Sequence, residues 1–156
     1  MRVREILNES LIAMEREIVS RMQQQGRMAT GKTASSLTHT ATDIEGTLSG
    51  SAAFVTLERG RGPGKVPSNF ASIIREWIQA KGVSVSSNGK NEEQAIMSAS
   101  YAIARHIKKN GTRLYRTGGY NDIYSTVIKK GTDDLFDKLT IDISSEIDKI
   151  NEEFAK

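Results

Sequence analysis

The sequence predicts an α+β chain with a long N-terminal helix, a small antiparallel sheet of about three or four strands, two central helices and a long C-terminal helix. Three observations lead there. Apolar residues recur at three- and four-residue spacing near both ends of the chain, as on a helix face. Between Ser36 and Glu58 the texture changes to short alternating Thr/Ser and apolar runs, as in half-buried strands. Glycine-rich stretches separate the two patterns and interrupt regular structure.

Taken in order, Val3, Leu7, Leu11, Met14, Ile18 and Met22 form one stripe of a helix over residues 3–25, with Gly26 as its stop. Residues 27–35 are small and polar and read as a loop. SLTHTAT, DIEGTLSG and AAFVTLE read as three short antiparallel strands over Ser36–Glu58, with turns near Asp43 and Gly50. RGRGPGKVP at 59–67 holds both prolines of the chain and three of its 13 glycines, so regular structure stops there. A helix is expected over Ser68–Lys81, with Phe70, Ile73, Ile74, Trp77 and Ile78 on one face, Ser68 or Asn69 as cap and Gly82 as stop. VSVSSNGKN at 83–91 reads as a loop. Another helix is expected over Glu92–Lys109, with Ile96, Ala99, Ile103 and Ile107 inward and Gly111 ending it. GTRLYRTGGYND at 111–122 has no periodicity and reads as an extended arm. Residues 123–128 form a short apolar element whose type the pattern leaves open. The last helix is expected over Asp133–Phe154, striped by Leu135, Leu139, Ile143, Ile147, Ile150 and Phe154, with Asp133 and Asp134 at the end where the helix dipole favours negative charge.

The 156 residues suit a single domain over 1–156, long enough to bury roughly 70% of the unfolded surface without a metal or disulfide staple. There is no cysteine, which excludes disulfides, thiolate metal sites and cysteine nucleophiles. Mean hydropathy is −0.43 and no apolar run approaches the roughly 20 residues of a membrane span. MRVREILNES is charged from its start and lacks the apolar stretch of a secretory signal. Apolar residues make up 37% and aromatics 6%, lean for a self-contained core, so part of the apolar surface is expected to await neighbouring subunits. The net charge of +3 hides an asymmetry: from Thr132 onward eight acidic residues face three lysines, and the rest of the chain is strongly basic. Such segregation suits head-to-tail contact between identical subunits.

Gly26-Arg27-Met28-Ala29-Thr30-Gly31-Lys32-Thr33 matches the phosphate-cradling pattern G-x-x-x-x-G-K-[ST]. That chemistry needs a buried strand leading in and a helix opening at the lysine. Here a polar helix end, RMQQQ, leads in and TASSLTHTATD follows, so the motif reads as a turn at Gly31 with a solvated Lys32. The two histidines, His39 and His106, lie on different elements with no carboxylate at metal-ligand spacing. Asp142 and Glu146 stand one turn apart, as on a solvated helix face. No serine sits in a nucleophile-elbow pattern, so no catalytic set, metal or cofactor is expected. The positive charge gathers on two glycine-flanked stretches. One holds Arg59, Arg61 and Lys65; the other runs through Arg105, Lys108, Lys109, Arg113 and Arg116, with Tyr115 and Tyr120 interleaved. Arginines on such loops reach acidic side chains or phosphates. Arg59, Arg61, Lys65, Arg113, Tyr115, Arg116 and Tyr120 are the candidate partner contacts, and a nucleic-acid-binding module is the alternative they leave open.

The order of these signals resembles the minor tail, tail-completion and neck proteins of tailed bacteriophages. The likeness runs through G-x-x-A-T-G-K-T-x-x-S-L at Gly26–Leu37, F-V-x-L-E-R-G-R-G-P-G-K-x-P at Phe54–Pro67, I-I-R-E-W-I-Q-A-K-G at Ile73–Gly82 and I-A-R-H-I-K-K-N-G-T at Ile103–Thr112. It covers about residues 1–115 and leaves the acidic C-terminal helix unaligned. It implies a structural virion protein at the head–tail junction, assembled from the host cytoplasm into a homo-oligomeric ring of six or twelve copies. Its partners would be further copies of itself and the neighbouring portal, connector and tail proteins. Genome DNA would pass through the ring without specific binding, and no membrane is involved. It further implies that L-E-R-G-R ends a central strand, and that the motif around Lys32 leads from the first helix into the sheet.

Overall fold

In a computed structural model of the chain, residues 2–155 are described. They form two compact units, one built from the segments up to Gln25, Thr33–Ser51 and from Asp122 onward, the other from Gly26–Lys32 and Ala52–Asn121.

The first unit is organised by α1, Val3–Gln24, whose Leu7, Ser10, Leu11, Met14, Ile18 and Met22 are buried. The spacing of these residues places them on one face, so the expected stripe is the face that packs. A hairpin of β1, Thr38–Ala41, and β2, Gly46–Ser49, lies across that face, antiparallel with Thr38 opposite Ser49 and Ala41 opposite Gly46. Its turn is closed by Thr42, whose amide donates to the Glu45 carbonyl at 2.7 Å and whose hydroxyl accepts from the Glu45 amide at 3.0 Å. A Cβ on Gly46 would lie 3.1 Å from Leu7 Cδ2 and 3.2 Å from Leu11 Cδ1, which is how closely the hairpin approaches the helix.

The unit is completed by α6, Ser125–Phe154, which packs on α1. It opens eight residues earlier than the periodicity of its second half suggests, and it absorbs residues 125–128 of the unassigned apolar element. Gly131 and Thr132 read as a break, yet Gly131 lies inside the helix. A Cβ there would lie 2.5 Å from Met14 Cγ, so the glycine is where the two helices come closest. Asp133 and Asp134 are therefore interior to the helix and not at its dipole, and Asp133 instead pairs with Lys129 at 3.0 Å.

The second unit holds α2, Ala53–Arg59; α3, Phe70–Lys81; α4, Glu92–Asn110; and the single turn α5, Arg113–Arg116. The third expected strand is α2, so the sheet is smaller than expected and Leu57–Arg61 ends a helix rather than a strand. Phe54 and Glu58 stand one turn apart and are both buried, a helical period inside a segment too short to display it clearly. Helices α3 and α4 pack together, with Ile78, Ala95, Ser100 and Ala104 buried. Asn69 occupies the α3 cap position without a side-chain hydrogen bond, whereas Asn91 Oδ1 caps α4 by accepting from the Gln94 amide at 2.9 Å. Gly82 ends α3 in the left-handed conformation.

Candidate functional site

In the second unit the two basic, glycine-rich stretches lie against each other. The Arg61 amide donates to Thr112 Oγ1 at 2.9 Å, the Thr112 amide returns a bond to the Arg61 carbonyl at 2.8 Å, and the Gly64 amide donates to the Lys108 carbonyl at 2.8 Å. Asn121 closes the far end, its amide donating to the Glu58 carbonyl at 2.8 Å and its Nδ2 to the Leu57 carbonyl at 2.9 Å. Two glycines make this approach sterically possible. Gly60, at φ +78°, would put a Cβ 2.5 Å from the Tyr115 amide nitrogen, and Gly111, at φ +76°, would put one 2.7 Å from the Arg61 carbonyl oxygen. The 111–122 segment thus holds a helical turn and folds onto residues 57–64 instead of extending as an arm.

The two stretches brought together are both basic. Residues 59–75 carry Arg59, Arg61, Lys65 and Arg75, and residues 94–121 carry Arg105, Lys108, Lys109, Arg113 and Arg116; neither segment contains an Asp or Glu. Arg59, Lys65, Arg113 and Arg116 are exposed, and Tyr115 and Tyr120 are half-exposed beside them. Arg61 differs: its guanidinium stands 5.4 Å over the Phe70 ring and donates to the Lys65 carbonyl at 2.8 Å, so it braces the loop.

The segment Gly26–Lys32 is a brace of the same unit. Lys32 Nζ pairs with Glu76 Oε2 at 2.6 Å, Lys81 Nζ donates to the Gly26 carbonyl at 2.7 Å, and Arg27 donates to Asn121 Oδ1 at 3.1 Å. Helix α1 precedes it in the chain, only a 3-10 turn, Ala34–Ser36, follows, and the sheet is an antiparallel pair. The context that would make this motif grip phosphate is not built around it.

In the first unit, His39 Nδ1 lies 2.7 Å from Glu15 Oε2, tying β1 to α1. Arg21 bonds Glu17 at 2.9 Å and Asp122 at 2.7 Å. Hydrogen bonding from Thr126, then the charge and hydrogen bond of Arg21, hold the Asp122 carboxyl below its ordinary range. His106 pairs only locally with Asn110. Among the described residues no group of His, Asp and Glu is placed to hold a metal ion, and no helix is long and apolar enough to cross a membrane.

The periodicity of the last helix concealed a further surface. Asp122 sits by Arg21 near the C-terminal end of α1, and Asp142 accepts from the Arg2 amide at its other end, at 3.1 Å. The two helices therefore run antiparallel, and α6 continues past α1 beyond Asp142. Twelve residues at about 1.5 Å each make an overhang of roughly 18 Å. Along it Ile143, Ile147, Ile150 and Phe154 are 43%, 52%, 49% and 87% exposed. The stripes alone do not reveal it, since those of the first and last helices, Val3–Met22 and Leu135–Phe154, are equally long; the overhang follows from where the two helices align.

No family model, curated protein or solved structure matches the chain.

Proposed function

We propose that the chain is a structural protein whose surfaces serve to mate with other proteins. The observation that carries this is the presence of two exposed features of opposite charge: a basic plate in the second unit, and an apolar overhang in the acidic last segment of the first. A lone chain gains nothing from exposing four large apolar residues in a row at helical spacing. A chain that associates head to tail uses both surfaces at every contact, and heterologous contacts of that kind close by rotation into rings.

The particular assembly we infer is the ring of a tailed phage's head–tail junction, linking portal or connector to tail. The ordered resemblance of residues 1–115 supports it, as does the segregation of charge. The basic plate then faces neighbouring proteins and not the DNA channel. The test is removal of the gene from the phage that encodes it: DNA-filled heads without attached tails are expected, with complementation restoring whole particles. Normal tailed particles lacking the chain would refute the reading. The basic plate with its tyrosines also favours nucleic-acid binding as a second reading; that reading requires a gel shift at low salt that weakens steeply as salt is raised.

A further inference from the structure

The overhang of α6 requires an occupant. A helix of about twelve residues is marginal on its own in water, and this one lies past the end of the helix that supports the rest of α6. A second copy of the same overhang is a poor partner. With Ile147 and Phe154 at one core position of the stripe and Ile143 and Ile150 at the other, Glu146 and Glu153 lie along one edge and Ser144 and Asn151 along the other. Lys149, the nearest base, is drawn to Glu146 at 2.9 Å within the helix. Two such overhangs set antiparallel bring the Glu146 and Glu153 edges together, and set parallel they bring no opposite charge to either edge.

The second unit carries the matching face. On α4 the residues that border its buried side form one ridge, Met97, Tyr101, Arg105 and Lys108, at spacings of four, four and three. Met97 and Tyr101 are 42% and 62% exposed, large apolar groups with no cover, and Arg105 and Lys108 are exposed beyond them. The ridge is apolar first and cationic last; the overhang is apolar throughout with Glu153 at its end. We propose that the α6 overhang of one copy docks parallel to α4 of the next, with Ile143 beside Met97, Ile147 beside Tyr101, and Glu153 and Phe154 at Lys108.

Charge selects this direction. In the parallel register Lys138 approaches Glu92 and Glu93 at the start of α4, and Glu153 meets Lys108 near its end. Reversed, the acidic end of α6 would point toward Glu92 and Glu93. The contact joins the first unit of one copy to the second unit of another, so it is heterologous and propagates. It rests on the oligomeric reading above and supplies the contact that reading lacks.

The absence of native cysteine makes the test direct. The full-length variants Tyr101→Cys and Ile147→Cys, mixed and oxidised, are expected to give an intermolecular disulfide between the two variants. The pair Tyr101→Cys with Ser144→Cys, on the other edge of the stripe, gives markedly less. In mass photometry Ile147→Asp weakens self-association on the order of 30-fold. Glu153→Lys weakens it as well, and Lys108→Glu in the same chain restores it, a rescue that misfolding cannot mimic. No cross-link, a cross-link only between two copies of the same variant, or self-association indifferent to Ile147→Asp overturns this contact. A chain that stays monomeric at every concentration also overturns it, while the junction reading is judged separately by the particles formed without the gene.

Discussion

Replacing Gly131 by alanine tests the packing of the first unit through the sign of its effect. In a helix interior this change ordinarily stabilises by about 1 kcal/mol, because alanine leaves the unfolded chain less freedom to lose. At this position the new Cβ meets Met14 Cγ at 2.5 Å, Sδ at 2.8 Å and Cε at 2.9 Å. Met14 is 5% exposed and has little room to turn. A clash with Cγ, one bond from the Met14 Cβ, cannot be relieved by swinging the methyl group; the whole side chain must move. Overpacking of this kind costs about 1–3 kcal/mol, so the clash outweighs the helix preference and the expected net loss is about 1 kcal/mol. The second arm uses Met14→Ala, which costs about 2–5 kcal/mol by opening a cavity. In that background Gly131→Ala meets no obstacle and stabilises by about 1 kcal/mol. Urea unfolding of the four proteins, followed by far-UV circular dichroism, reads a coupling of about 2 kcal/mol. A Gly131→Ala effect of the same sign and size in both backgrounds would refute the close approach of α1 and α6.

Gly111→Ala forces a positive φ on a side chain and drives its Cβ into the Arg61 carbonyl, so a loss on the order of 2 kcal/mol is expected, with faster hydrogen exchange at the Thr112 amide; unchanged exchange there would mean that the two basic loops are not pinned to each other. Asp122 has a folded pKa below its ordinary 3.8, so its contribution is complete above that value and disappears as the pH falls through the lowered one. Because its side chain is 40% exposed, Asp122→Asn removes no more than about 1 kcal/mol at neutral pH. The variant and the parent should converge in stability as the pH falls through the lowered pKa, and a gap that widens on acidification would reverse the assigned sign.

The elements legible in the sequence were those whose burial has one period over several turns. Five buried apolar residues of α1 repeat the expected stripe, and α4 ends within one residue of its forecast at Gly111. The failures share one cause, which is that glycine and β-branched residues were read for local preference while tertiary contact decided. AFVTLER is β-rich in composition, but it holds only two buried positions, Phe54 and Glu58, and those lie one helical turn apart. Gly131 reads as a break because nothing local announces Met14 opposite. Gly111, Gly118 and Gly119 read as part of an extended arm, although the first lies close against the Arg61 carbonyl. At the candidate site, the sequence identified the two basic stretches separately. That they form one plate depends on hydrogen bonds between residues about fifty positions apart, which no pattern along the chain encodes. The structural role of Arg61 was equally hidden, since a loop arginine that braces and one that reaches outward look alike in sequence.

The length of α6 carries the functional argument further than its composition does. A thirty-residue helix paired with a twenty-two-residue one must leave several turns without that partner. Selection for solubility alone would make those turns polar on every side, since nothing within the first unit rewards an isoleucine there. Instead the apolar spacing persists to Phe154, and the charge that accompanies it is negative while the second unit's exposed plate is positive. Helical order in α6 is then sustained by α1 for only part of its length, and the overhang depends on whatever covers the stripe. Burying that stripe against another protein both removes its apolar surface from water and secures the helix that presents it, so folding of the last turns and assembly become one coupled step.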